Sequence, residues 1–148
     1  MQASDGKTKP HFIILRGLPG SGKSSIARKI AMDGGWRHYE ADMYFYDKQG
    51  NYNFDLNKLG AAHHWCESNV AQKLQEGWSV VVSNTFTTQR ELNPYFEIAL
   101  QLGIIPQVIS VHGSFGSIHN VPAEAMDRMR RRWIADPVLP WEDKNGLV

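Results

Sequence analysis

The sequence predicts an α/β fold, a central parallel sheet of about four to five strands carrying helices on both faces. Three observations predict it. Short apolar runs alternate with longer segments in which apolar residues recur at helical spacing, the pattern of βαβ units. One run, Val80-Val81-Val82, is continuous rather than alternating, as strands covered on both faces are. A glycine-rich turn stands between the first apolar run and the first helical segment. Sheets of this kind bind ligands at the carboxyl ends of their strands.

Taken in order, residues 1–11 read as a disordered polar leader and residues 12–148 as one domain. Phe12–Leu15 is the first strand, and Gly17–Gly22 is the turn after it. Lys23–Met32 follows as a helix with Ile26, Ala27, Ile30 and Ala31 on one face, stopped by Gly34-Gly35. His38–Asp42 is a weak second strand, and Tyr44–Phe54 a loop with aromatic anchors. A long helix is expected from an Asp55 N-cap to about Glu76, with Leu56, Leu59, His63, Cys66, Val70 and Leu74 as its stripe. Trp78–Ser83 is the third strand. Thr87 or Thr88 caps the next helix, which ends near Leu102 and Gly103, with Pro94 predicting a break or restart. Gln107–Val111 is a further strand. Pro122 opens a last helix to about Ile134, which Asp136-Pro137 ends.

Composition bounds the function. The chain has 148 residues, 16 Lys plus Arg against 15 Asp plus Glu, and a formal net charge of +1. That balance excludes a strongly basic nucleic-acid coat or an acidic tail as the whole function, while leaving room for a local basic patch. A hydrophobic share of 42% and an aromatic share of 11% suffice for a packed core. The single cysteine, Cys66, makes no internal disulfide and fits a reducing, cytoplasmic location. The first ten residues lack a signal-peptide pattern, and no apolar run is long enough to span a bilayer, so no membrane partner is expected.

The chemistry-bearing motif is Gly17-Leu18-Pro19-Gly20-Ser21-Gly22-Lys23-Ser24, which fits G-x-x-x-x-G-K-[ST] at every fixed position. Its glycines permit a backbone that turns several N–H groups inward, and the following helix adds its own free N–H groups. Lys23 is placed to reach the β- and γ-phosphates of ATP, and the Ser24 hydroxyl to ligate Mg²⁺. The strand before the loop and the helix after it supply the context the motif requires. This is the P-loop NTPase form of the α/β class, a three-layer sandwich. Asp42, beyond it at the end of the second strand, stands on the same rim and is the candidate general base.

Gly17–Ser25, the Glu40-Ala41-Asp42 corner, Ser83-Asn84-Thr85 and Val121-Pro122 with Met126 and Met129 follow the order of the phage polynucleotide 5′-hydroxyl kinase domain, which this chain resembles. It looks closer still to small P-loop kinase-like proteins related to the kinase-like domain of ubiquitin-ligase-binding proteins. That likeness runs through Tyr46, Gly50, Tyr52, Phe54, Leu59, Ala62-His63, Trp65-Cys66, Ser83-Asn84-Thr85, Pro94-Tyr95, His119 and Val121-Pro122, and covers about residues 12–134. The resemblance implies ATP-dependent phosphoryl transfer to a hydroxyl. Carried over by position, Gly17–Ser25 bind the nucleotide, Ser24 the metal, and Asp42 is the general base.

Two departures stand out. Polynucleotide kinases end the third strand with an acid, whereas Ser83-Asn84-Thr85 here contains none, leaving Asn84 or water to serve the cation. The segment His112–His119, where the family's lid arginine would stand, contains neither Arg nor Lys.

Other candidates are Asn84 and Thr85 on the acceptor side, Arg90, and Arg128 and Arg131 among the four arginines from Arg128 to Arg132. For the arginines a solvated basic face and a phosphate contact both stand as readings. Consecutive His63-His64 point to different sides of a helix, against a shared metal site. Phe45, Tyr46, Tyr52 and Phe54 read as loop anchors or as a stacking platform. The expected partners are a nucleoside triphosphate and a nucleic-acid or nucleotide acceptor. A small-molecule or nucleoside kinase, and an ATP-binding module with weak or no transfer, are the alternatives.

Overall fold

The computed structural model describes residues 9–114 and 121–139. Four parallel strands form one sheet: β1 (Phe12–Arg16), β2 (Arg37–Tyr39), β3 (Val80–Asn84) and β4 (Gln107–Ser110), in the order β2-β3-β1-β4. The helices are α1 (Lys23–Gly34), α2 (Leu59–Gln75), α3 (Gln89–Leu102) and α4 (Ala123–Arg132).

Every residue of β1 and β3 is buried, because these two central strands are covered on both faces. Their side chains divide by the period of two. Ile13, Leu15 and Val81 face α1, where Ala27, Ile30 and Ala31 meet them. Phe12, Ile14, Val80 and Val82 face the other way, onto Ala62, Cys66, Val70 and Leu74 of α2 and Leu92, Tyr95, Phe96 and Ala99 of α3. The result is helix, sheet, helix, with β1 and the segment that follows it at the centre. The segments outside the described residues include the polar leader through Thr8, most of the lid segment, Asn120 and the tail from Pro140.

Several expected boundaries move. β2 ends at Tyr39, and Asp42 lies in a 3-10 turn, Ala41–Phe45, rather than in the strand. Asp55 does cap, but it caps a 3-10 turn, Leu56–Lys58, by accepting from the Asn57 N–H at 3.0 Å. α2 starts only at Leu59, so Leu56 leaves the stripe and stands 70% exposed. Pro94 causes no break. α3 runs through it, because its strong start outweighs one lost backbone bond: Thr88 and Glu91 form a reciprocal capping box. α4 stops at Arg132 instead of Ile134, whose N–H bonds the Thr87 carbonyl at 2.8 Å.

Candidate nucleotide site

The loop from Gly17 to Gly22 joins the buried end of β1 to the first turn of α1. Gly20 and Gly22 have φ of 81° and 95°, the left-handed region where side chains with a Cβ are strained. Gly17 is held by space: a Cβ there would meet the Ser21 hydroxyl and stand 2.7 Å from the Val111 carbonyl oxygen, just past β4. The Ser21 N–H bonds the Leu18 carbonyl at 3.0 Å, closing the turn, and the Lys23 ammonium reaches the same carbonyl at 3.4 Å. Pro19 lies between them at half-burial, and Ser25, on the exposed side of α1, accepts from Arg28 at 3.3 Å. Burial lowers the Lys23 pKa, and two carboxylates, Glu40 and Asp42, oppose that shift. The loop and the first turn of α1 therefore carry one ammonium, the Ser24 hydroxyl and the free N–H end of a helix within one short segment.

The corner after β2 supplies the facing acids. Asp42 accepts a hydrogen bond from the Tyr52 hydroxyl at 3.1 Å. Tyr52 is carried back to this corner by the loop, which closes through a bridge between Tyr46 and Tyr52 and through ring contacts among Phe45, Tyr52 and Phe54. Burial and the Asp42 charge together raise the Tyr52 pKa, so the phenol remains a donor. Phe45 is buried, while Tyr46 and Phe54 are 42% and 51% exposed.

Glu40, two residues earlier, is more deeply held. Its carboxylate accepts from His38 at 3.1 Å and from the Ser83 hydroxyl, and the Ser24 side chain lies near enough to favour its charged form. Burial pushes its pKa up, but His38, Ser83 and Ser24 together outweigh it and hold the group at about 2.

A family model described as AAA domain matches residues 12–118, which is most of the chain and all of the strand–loop–helix unit just described. The chain belongs to the AAA domain family. Its members here are P-loop, kinase-like NTPases. Human NEDD4-binding protein 2 is 36% identical over 90 residues, 60% of this chain; that stretch is 5% of the relative's own length. Among solved structures, a chain of the Pnkp1/Rnl/Hen1 complex, an RNA repair complex, superposes with a TM-score of 0.59 at 19% identity, over 97% of this chain and 46% of that one. A gluconokinase from Sinorhizobium meliloti 1021 gives 0.58 at 18%, over 96% and 82%. At these identities the structural likeness is one of fold.

On this AAA-domain framework the remaining predicted residues separate. Asn84 and Arg90 line one cavity of about 350 Å³ with His63, Glu67, Phe86 and Glu91. Asn84 Oδ1 is already engaged, accepting the Ala41 N–H at 2.8 Å, so this side chain positions the Asp42 corner. Thr85 donates to Glu91 at 3.5 Å. Arg128 and Arg131 are exposed on α4, whereas Arg130 pairs with Asp127 at 3.0 Å and Arg132 donates to Thr87 at 2.9 Å. All four arginines of the basic run are thus exposed, and two of them, Arg130 and Arg132, are engaged. Sequence reasoning passed over Glu40 and His38. The available signal was an acid two residues before Asp42 in a chain whose third strand lacks one.

Proposed function

We propose that this chain is an ATP-dependent phosphotransferase that moves the γ-phosphoryl group to a hydroxyl, most fittingly the 5′-hydroxyl of a nucleic acid or nucleotide. The observation that carries the reading is Asp42, fixed by Tyr52 and set within the electrostatic reach of Lys23. A carboxylate so placed takes the proton of the acceptor hydroxyl while its oxygen bonds to phosphorus and ADP departs. Gly17–Ser25 cradle the phosphates with backbone N–H groups, Lys23 neutralises them and Ser24 faces the cation. Ser24 and Glu40 are oxygen donors, the chemistry Mg²⁺ prefers. When bound, the cation supplies charge neutralisation at the transferring group.

The acceptor side is argued from the cavity that carries Asn84 and Arg90 beside the Asp42 corner. An arginine there suits a phosphate-bearing acceptor, and Arg128 and Arg131 add exposed positive charge. The fold neighbour within an RNA repair complex points the same way. The deciding experiment is a single-turnover assay with γ-labelled ATP and a panel of 5′-hydroxyl DNA, 5′-hydroxyl RNA and nucleosides. Label on an oligonucleotide end supports the proposal, and salt-sensitive oligonucleotide binding accompanies it.

A second reading has its own observation. The sequence of His112–His119 contains no Arg or Lys to clamp the transferring phosphate, a loss worth about 10³–10⁵ in rate. In that reading the chain binds ATP and transfers poorly or not at all, and the same assay returns bound nucleotide with no labelled acceptor.

A further inference from the structure

In P-loop NTPases the cation of the nucleotide is held between the P-loop hydroxyl and an acid at the end of a neighbouring strand. Here β3, the neighbour of β1, ends in Ser83-Asn84 and provides no acid. We propose that Glu40, one strand further out, is the carboxylate that holds this cation with Ser24, and that His38 and Ser83 are its positioning residues. This assignment rests on the nucleotide-binding reading of the site.

The register places the group. Leu15 of β1 lies beside Ser83 of β3, and Tyr39 of β2 lies beside Val82. Glu40 therefore follows in line with Ser83, one strand spacing beyond it, about 4.8 Å. The extra methylene of Glu over Asp carries the carboxylate back across the small Ser83 side chain toward the P-loop. That reach is realised: Ser83, a buried residue, donates its hydroxyl to Glu40, and the Ser24 side chain of the loop lies near enough to favour the charged carboxylate. His38 closes the third side at 3.1 Å.

The Glu40 side chain is only 16% exposed. A carboxylate at that depth is costly unless its charge is answered, and the answer here is the hydrogen bonds from His38 and Ser83 with the nearby Ser24 and Lys23 side chains. Asp42, occupied by Tyr52, keeps the separate task of accepting a proton. Serine at position 83 is then not a loss of the site: it makes room for the longer acid and orients it, as outer partners of metal ligands do.

The test uses the full chain, Mn²⁺ as an electron-paramagnetic probe and AMP-PNP as the nucleotide. Glu40→Gln is expected to weaken Mn²⁺ binding in the AMP-PNP complex at least about tenfold. In EDTA the same variant is expected to bind AMP-PNP more tightly than wild type, because a negative charge facing the phosphates is gone. A latch that merely joins β2 to β3 would weaken both. The double substitution Glu40→Ser with Ser83→Asp returns the acid to β3 and is expected to restore Mn²⁺ affinity, which decides the matter if Glu40→Gln fails to fold. Unchanged Mn²⁺ affinity in a folded Glu40→Gln overturns the assignment alone, as does a folded double variant without recovery. A wild-type chain that binds no AMP-PNP with or without Mn²⁺ overturns the nucleotide reading as well.

Discussion

Arg16 closes β1 by giving two hydrogen bonds to the Phe86 carbonyl, from Nε at 3.0 Å and Nη2 at 2.8 Å. Arg16 is fully buried and its guanidinium lies over Trp133, 3.9 Å from the ring centre. Phe86 has a φ of 47°, a left-handed conformation that a bulky residue adopts only when its surroundings impose it. Arg16 holds the Phe86 carbonyl in this conformation with two donors, and so ties the loop between β3 and α3 to the residue just before the P-loop. Burial lowers the Arg16 pKa, and the Glu91 charge partly restores it.

This predicts the effect of Arg16→Met, which keeps much of the volume and removes both donors. The Phe86 carbonyl is then buried without a partner, and stability falls by about 1–3 kcal/mol. Urea unfolding of the two proteins measures it. A loss under about 0.5 kcal/mol would mean that the loop relaxes to water and that Arg16 does not hold it.

Lys23 and Asp42 are expected to fail differently. Lys23→Ala removes the ammonium that meets the phosphates and should nearly abolish nucleotide binding. Asp42→Asn keeps the Tyr52 hydrogen bond but cannot take a proton, so single-turnover transfer should drop about 10²–10⁴-fold with AMP-PNP affinity roughly intact. Transfer that survives Asp42→Asn at the wild-type rate would remove Asp42 from the role of base.

The sheet, the glycine loop and its lysine were legible because each is encoded locally: continuous apolar runs give β1 and β3, and a fixed spacing gives the loop. Asp42 lies in a 3-10 turn rather than at the end of β2, since a three-residue strand and a 3-10 turn are too short for a periodic signature to separate them. Glu40 is invisible in the sequence as a partner of Ser83. Only the pairing of β2 with β3 brings positions 40 and 83 together, and no local pattern reports which strands are neighbours. Arg16 was hidden by its own type, because a charged residue at a strand end reads as a boundary unless the fold places an acceptor behind it.

Glu91 is expected to matter more than an ordinary capping residue. It accepts from the Thr88 N–H at 3.0 Å and the Thr88 hydroxyl at 2.9 Å, and also from Thr87, whose hydroxyl in turn accepts from Arg132 at 2.9 Å. One carboxylate thus starts α3 and, through Thr87, ties α4 to it. Thr88→Ala should cost about 1 kcal/mol, the usual value of a cap, and Glu91→Ala about 2–3 kcal/mol because the buried Thr87 hydroxyl loses its acceptor too. The double variant should lose less than the sum, since both changes break the same box. Thermal unfolding of the three variants tests this, and strict additivity would contradict a shared network.

Cys66 gives a prediction in pH. The thiol is fully buried on α2, where Asn84 Nδ2 approaches its sulfur at 3.9 Å. Burial pushes its pKa up to about 11. Unfolded, the thiol ionises near 8.5, so between that value and 11 the unfolded chain releases a proton that the folded chain keeps. The stability this group contributes is therefore complete below pH 8 and declines as pH rises toward 11, by at most about 3 kcal/mol. Tyr52 and Tyr95 are also shifted upward by burial and add to the alkaline decline, so the informative quantity is a difference. Cys66→Ala should lose less stability than wild type between pH 8.5 and 11, and the native thiol should resist a disulfide reagent at pH 8 while reacting at once in denaturant. Equal alkaline slopes for wild type and Cys66→Ala, or rapid modification of the folded chain, would mean that the space around α2, Asn84 and Tyr95 opens to water.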